Sequence, residues 1–182
     1  MARRESITIQ DVLNTAFLMT KEEGLEVVTA RRLAAKIGCS TQPIFRVYRN
    51  MEELYNQVYE MVTEYFSDFY QEFPVMDQTP FVNLGLAYIK FAVMEPHLFK
   101  VLFLSQKRNG KSLYELLNGN NQALVKEINK ATADGIKNPS GMFMKMWIFT
   151  HGAACMVITG DYDLSDEETL NLLKDSYEAY RR

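Results

Sequence analysis

Apolar residues recur every three or four positions along almost the whole chain, which is the spacing of an amphipathic helix. The first run follows a Thr8–Asp11 pair typical of a helix start, and Gly24 marks its end. Its apolar members are Ile9, Val12, Leu13, Ala16 and Phe17. No run alternates between apolar and polar residues with turn pairs at its ends. The pattern therefore predicts an all-α protein of about nine helices.

Three short helices are predicted within the first 50 residues. Thr29 is a good N-cap for the second helix, Gly38 ends it, and Ser40 or Thr41 begins the third. Pro43 then lies in the first turn of the third helix, where a missing N–H costs no intrahelical hydrogen bond. Two helices joined by a short Gly-containing turn are typical of a helix-turn-helix, whose second helix enters the DNA major groove. The alternative interpretation is an αα-corner inside a helical bundle.

The rest of the chain predicts one long helix followed by a separate helical region. Asn50 is the expected cap of the long helix, which runs to about Phe73, and Pro74 to Pro80 form the first plausible hinge. We therefore predict an N-terminal helix-turn-helix domain at residues 1–50, a connecting helix at 51–73 and a C-terminal helical domain at 74–182.

Charge is distributed unevenly along the chain, although the net charge is only −3. Residues 1–51 hold eight Lys and Arg against five acids, whereas the remainder holds 12 basic and 18 acidic residues. A basic N-terminal region on an acidic body favours an anionic partner for that region. A solvated helix face gives similar counts, so charge alone does not decide the matter.

The two cysteines and the long apolar run exclude several classes of protein. Cys39 and Cys155 lie far apart, and neither has a His or Cys at metal-ligand spacing, so we expect no metal, no cofactor and a reducing cytosol. The apolar run from Met142 to Gly160 carries Lys145 and His151, which makes it too polar for a membrane span. The N-terminus has no apolar run typical of a signal peptide. A cytoplasmic protein without membrane contact is predicted.

Candidate DNA contacts lie at the starts of the second and third helices. Thr29 and Arg31 stand where a backbone N–H and a guanidinium group hold phosphate. Thr41 and Gln42 lie at the exposed end of the third helix, and Gln pairs with adenine in the major groove. The outward or sideways positions that follow on this helix are Phe45, which suits contact with thymine methyls or sugar, and Arg46.

The segment VTARRLAAKIGCSTQPIFRVYRNMEEL resembles the DNA-binding domain of TetR-family transcriptional regulators, over about residues 8–60. The positions that match the family pattern are Thr29, Arg31, Leu33, Ala34, Ile37, Gly38, Ser40, Ile44, Tyr48, Asn50 and Leu54. The resemblance implies double-stranded DNA with a palindromic operator as the partner. Tyr48 and Arg49 complete the predicted DNA-binding set, although Ile44 and Tyr48 lie four residues apart and are expected to face the core. Phe45 and Met51 replace the usual Tyr and Lys, which contact DNA phosphates. Arg46 and Arg49 are placed to compensate.

The C-terminal region contains a W-x-x-x-H-G string from Trp147 to Gly152, which resembles the WHG-type regulatory domain found in many TetR-family proteins. The resemblance implies ligand sensing and dimerisation rather than catalysis. No nucleophile–base pair or Gly-rich phosphate loop is evident, so no catalytic residues are predicted. The apolar helix from Met142 needs burial on both faces, and with the last helix it predicts a two-fold dimer interface. The predicted interface residues are Phe149, Ala153, Met156, Leu170, Leu173 and Tyr177.

The C-terminal region is also rich in Met and aromatic residues, most of which we expect to be ordinary core. Flexible Met beside aromatic rings also suits a pocket for an apolar ligand. The predicted lining residues are Phe66, Tyr88, Phe91, Trp147 and His151.

The predicted function is a homodimeric repressor whose operator affinity is lowered by a small apolar or aromatic effector. The alternative is a helical ligand-binding or scaffold protein with weakened or lost DNA binding, and an enzyme is a more distant third.

Overall fold

The structure, a computed structural model, describes residues 7–105, 110–119 and 122–181. Within these ranges every regular element is a helix, and the described residues contain no strand. The all-α prediction is therefore confirmed. The described residues form ten α-helices where about nine were predicted, because the segment 113–133, predicted as one helix interrupted near residues 118–121, forms two separate helices.

The helices of the N-terminal half are α1 (Ile9–Glu23), α2 (Ala30–Ile37), α3 (Gln42–Val47) and α4 (Met51–Glu72), with a 3₁₀ turn at Leu25–Val27. The remaining helices are α5 (Val82–Met94), α6 (Pro96–Phe99), α7 (Leu113–Asn118), α8 (Ala123–Ala133), α9 (Pro139–Thr159) and α10 (Asp166–Arg181), with a π-helical segment at Lys100–Leu104.

The chain divides into two compact units. The first extends to Thr63 and includes His97–Gly110, and the second comprises Glu64–Pro96 and continues from Lys111. The division falls within α4, so this helix contributes residues to both units.

The first unit is built on α1, which packs against α2 and α3. The predicted capping box begins α1: the Thr8 hydroxyl accepts the Asp11 N–H at 3.1 Å, and the Asp11 carboxylate accepts the Thr8 N–H at 2.9 Å. The Thr8 hydroxyl also donates to the Asp11 carboxylate at 2.7 Å, and this hydrogen bond, together with the one from the Thr8 N–H, lowers the pKa of Asp11. At the start of α4, the Asn50 side chain accepts the Glu53 N–H at 2.9 Å. The structure therefore begins α1 and α4 at the residues that the sequence predicted.

The second unit is built around α5, which packs against α8, α9 and α10. Of the residues from Val82 to Ala92, only Lys90 is not buried. Gly85 allows both α9 and α10 to pack closely against α5, since a Cβ at this position would lie 3.1 Å from the Thr150 hydroxyl and 3.3 Å from Leu173. Contrary to the prediction that it is too polar, α9 is long and apolar enough to cross a membrane, as judged by length and composition alone. In this fold it packs against α5, α8 and α10.

Candidate functional site

The α2–turn–α3 segment has the geometry of a helix-turn-helix. Gly38 ends α2 in the left-handed conformation with φ of +79°, and the N–H groups of Gly38 and Cys39 both donate to the Ala34 carbonyl at 2.9 Å. The buried side chains of Ile44 and Tyr48 fix α3 to the core of the first unit. The opposite face of α3 is therefore turned outward.

The start of α3 differs in one detail from the expected cap. Thr41 occupies the N-cap position, but its side chain makes no capping hydrogen bond and its backbone is helical rather than extended. Gln42 begins the helix, and Pro43 lies in the first turn as predicted. The Thr41 hydroxyl is thus not engaged in capping α3.

Seven of the eight predicted DNA-binding residues reach the surface of the first unit. Thr41 is half-buried, and the exposed members are Thr29, Arg31, Gln42, Phe45, Arg46 and Arg49. Thr29 also caps α2 by accepting the Arg32 N–H at 3.3 Å. Gln42 and Arg46 lie four residues apart in α3 and therefore share its outward face.

Tyr48 is the exception in the predicted DNA-binding set. Only 1% of the residue is exposed, and its hydroxyl donates to Gln57 Oε1 at 2.8 Å. Burial, with a smaller contribution from the charge of Glu53, raises the pKa of Tyr48. The ring cannot lie against DNA in this position, because it is enclosed by the core. The structure assigns Tyr48 the role of holding α3 in place.

The basic residues of the helix-turn-helix fall into two groups. The Arg32 guanidinium lies 2.7 Å from the Glu23 carboxylate, and the Lys36 ammonium lies 3.4 Å from Glu22. Arg31, Arg46 and Arg49 form no ion pair within the part of the chain that the structure describes. The cations that the sequence assigned to DNA are therefore the ones that no carboxylate neutralises.

The two positions that depart from the family pattern have different environments. Phe45 is 48% exposed on the outward side of α3, where a phenol would place its hydroxyl in solvent. Met51 is the first residue of α4 and is half-buried. Neither side chain can donate a hydrogen bond to phosphate.

The five predicted ligand-lining residues come together in the second unit. Tyr88 makes edge contacts with Phe66 and with Trp147, at ring centroid distances of 6.4 and 4.7 Å, and Phe66 contacts Phe91 at 4.9 Å. His151 stacks on Trp147, and its Nδ1 lies 3.0 Å from the Tyr88 hydroxyl. We call these five residues the aromatic cluster.

The rings of the aromatic cluster pack against one another and leave almost no cavity between them. The cavity beside Tyr88 and Trp147 measures about 10 Å³, roughly the room that one water molecule needs. The pocket expected at these residues is therefore not open in this structure, because ring-to-ring packing occupies it. The Cys155 thiol lies 3.6 Å from His151 Nε2, so the histidine is beside a thiol and a hydroxyl without a substrate-sized cavity beside Tyr88.

A much larger concavity of about 890 Å³ lies elsewhere in the second unit. Its walls come from the ends of α4, α5 and α9 and from the beginning of α10, and we call it the apolar groove. Phe69 joins it to the aromatic cluster, with its ring centroid 5.3 Å from that of Phe91. The sequence did not reveal this groove, because four separated segments each contribute a few ordinary apolar residues.

The six predicted dimer residues separate into two groups. Ala153, Leu173 and Tyr177 are buried inside the second unit, and the Tyr177 hydroxyl donates to Asp134 Oδ2 at 2.8 Å. Ala153 on α9 and Leu173 and Tyr177 on α10 face the core of their own chain, where α5, α9 and α10 pack together. Phe149 and Leu170 are half-buried, and Met156 is 47% exposed.

The outward side of α9 is marked by two large apolar residues that were not among the predicted interface residues. Met144 is 50% exposed and Ile148 is 66% exposed, one turn apart. Gly152 follows on the same side, and among the described residues a Cβ at Gly152 would meet no atom within 4 Å beyond its own stretch of helix. No sequence signal distinguished this side, because α9 is apolar all round.

No protein-family model matches the sequence, and no curated protein is similar to it. Several solved structures are similar, and three of them, all regulators of one family, match over nearly their whole lengths. A putative TetR-family transcriptional regulator from Vibrio parahaemolyticus superposes with a TM-score of 0.64 at 14% identity, over 94% of this chain and 97% of that one. A TetR transcription regulator from Haloarcula marismortui superposes with a TM-score of 0.63 at 16% sequence identity, over 93% of this chain and 96% of that one. A putative TetR-family transcriptional regulator from Rhodococcus sp. superposes with a TM-score of 0.58 at 12% sequence identity, over 95% of this chain and 98% of that one.

The chain therefore has the fold of TetR-family transcriptional regulators, and the resemblance read from the sequence is confirmed at the level of the fold.

Proposed function

We propose that the protein is a TetR-like DNA-binding transcriptional regulator of the cytoplasm, which acts as a homodimeric repressor on a palindromic operator. The observation that carries this proposal is the outward face of the helix-turn-helix. There Gln42 and Arg46 share one side of α3, and Arg31, Arg46 and Arg49 form no ion pair within the described residues. Unpaired guanidinium groups at such a face suit both phosphate and guanine.

Homodimerisation is proposed through the outward side of α9. Met144, Ile148 and Met156 expose apolar side chains there, and Gly152 leaves space for close approach of a second helix. A second copy of the chain is the occupant that we propose, because a palindrome presents two equal half-sites to a two-fold dimer. The non-enzymatic role is supported by the regulators that share the fold.

A small effector is proposed to lower operator affinity. This effect requires the ligand to bind the DNA-free state more tightly than the DNA-bound state. Because the aromatic cluster is filled, an effector at Phe66, Tyr88, Phe91, Trp147 and His151 needs these rings to move apart.

The proposed function is tested by selecting bound sequences from random duplex DNA at two salt concentrations. We expect an enriched palindrome at both, with weaker binding at the higher salt. Recovery of no preferred sequence at either salt supports the alternative, a helical ligand-binding or scaffold protein that no longer reads DNA.

Replacing Met51 with Lys is expected to strengthen DNA binding. The new ammonium group at the first residue of α4 adds one phosphate contact, so the slope of log affinity against log salt steepens by about one unit. Fluorescence anisotropy at several salt concentrations measures this slope. Met51→Gln is the matched control, which keeps the length without the charge, and an equal slope for the Lys and Gln variants contradicts the prediction.

A further inference from the structure

The apolar groove combines the size of a ligand site with an exposed hydrophobic surface. Its volume of about 890 Å³ falls within the range of about 300–1,000 Å³ that holds drug-sized ligands. Met76, Val93 and Met94 line it and are 54%, 52% and 58% exposed. Several large exposed apolar side chains gathered in one surface concavity are typical of a binding site, whereas single exposed apolar residues are not.

The walls of the groove are suited to a rigid apolar body. Phe69 and Phe73 supply two rings with centroids 6.2 Å apart, and Ile89, Ile158 and Leu170 supply aliphatic contacts. Met side chains at the rim adapt their shape to an irregular ligand.

The charges around the groove favour a cation. Lys90 is the only basic residue that lines the described groove, and Asp166 holds its ammonium group at 2.8–2.9 Å. Glu72 also lines the groove and forms no ion pair within the described residues. The segment 161–168, which supplies part of one wall, contains five acids and no basic residue. Of the acids in this segment only Asp166 lines the groove, and it is paired with Lys90. The groove therefore presents aromatic faces beside the Glu72 carboxylate, which no basic lining residue neutralises within the described residues, and this combination attracts organic cations.

We propose that the apolar groove binds a lipophilic organic cation, with Glu72 opposite the positive charge and Phe69 and Phe73 against its apolar body. The regulatory meaning of this site rests on the proposed function, whereas binding itself does not. The groove adjoins the aromatic cluster at Phe69 but is lined by none of the five cluster residues, so an occupant does not require the packed rings of that cluster to move.

Two hydrophobic ions of nearly equal shape and opposite charge test the proposal. Calorimetric titrations of the full chain without DNA compare tetraphenylphosphonium with tetraphenylborate. We expect the phosphonium ion to bind about tenfold or more tightly than the borate, since both bury the same apolar surface and only the charge differs. Equal affinities, tighter borate binding or no phosphonium binding at millimolar concentration overturns the proposal.

Variants locate the site. Glu72→Gln is expected to weaken phosphonium binding about three- to tenfold while strengthening borate binding, and Glu64→Gln, on the same helix but outside the groove, is expected to leave both unchanged. Val93→Lys changes an exposed position, so the fold is retained, and it is expected to reverse the preference between the two ions. Equal effects of Glu72→Gln and Glu64→Gln overturn the assignment.

The remaining outcomes separate this proposal from the proposed function. If Val93→Lys dissociates a dimer and the phosphonium ion does not bind the wild-type chain, the groove belongs to a second copy and the proposal is overturned. If phosphonium binds as expected but leaves operator affinity unchanged, the cation site stands and its regulatory role fails.

Discussion

Replacing Arg46 with Ala is expected to reduce affinity for the operator about 10- to 100-fold, with a smaller loss on unrelated DNA. Arg46 is exposed on the same side of α3 as Gln42, one helical turn from the start of the helix. Its guanidinium forms no ion pair within the described residues, so binding DNA breaks no existing contact. Anisotropy titrations with operator and scrambled duplexes at one salt concentration measure both losses.

Arg32→Ala is the matched control for this prediction. Arg32 is exposed to a similar degree on α2, but its guanidinium is 2.7 Å from Glu23, and a surface ion pair of this kind contributes at most about 1 kcal/mol to stability. We expect operator affinity to change less than about threefold. Equal losses for Arg46→Ala and Arg32→Ala contradict the assignment of α3 as the recognition helix.

Replacing Ile148 with Glu is expected to dissociate the homodimer and to reduce operator affinity about a thousandfold. Ile148 is 66% exposed in the middle of α9, so a glutamate there costs the isolated chain little. In a dimer the same side chain becomes a buried charge without a partner, and a single half-site then has to supply all of the DNA affinity. Sedimentation measures the dimer, and circular dichroism checks that the helices remain.

Val75→Glu is the control for the dimer prediction, because Val75 is equally exposed at 66% but lies outside α9. We expect this variant to remain dimeric with unchanged operator binding. A wild-type chain that is monomeric at micromolar concentration refutes the proposed interface directly.

Helix starts and the helix-turn-helix were predictable because they depend on local chemistry. Thr8, Asn50 and Gly38 each act through hydrogen bonds to residues within four positions, so their roles are visible in a short window of sequence. The outward face of α3 was predictable for the same reason, since the six residues of this helix present only a few side chains outward.

The second unit was less predictable because its cavities and surfaces depend on long-range packing. Tyr177 and Leu173 show the 3-4 spacing of an interface, but the same spacing serves packing within one chain, and only the position of α10 against α5 and α9 decides between them. Trp147 and His151 were correctly grouped with Tyr88, 59 to 63 residues distant in sequence, yet whether their rings leave a cavity depends on sub-ångström packing.

The central claim is that two recognition helices of one dimer read two half-sites, and one titration tests it most directly. The duplex recovered by selection is compared, at a single salt concentration, with the same duplex carrying about five extra base pairs between its half-sites, or half a helical turn. We predict that the insertion reduces affinity nearly to the level of a scrambled duplex, because the half-sites then face opposite sides of the DNA. Equal affinity for the two duplexes contradicts the account.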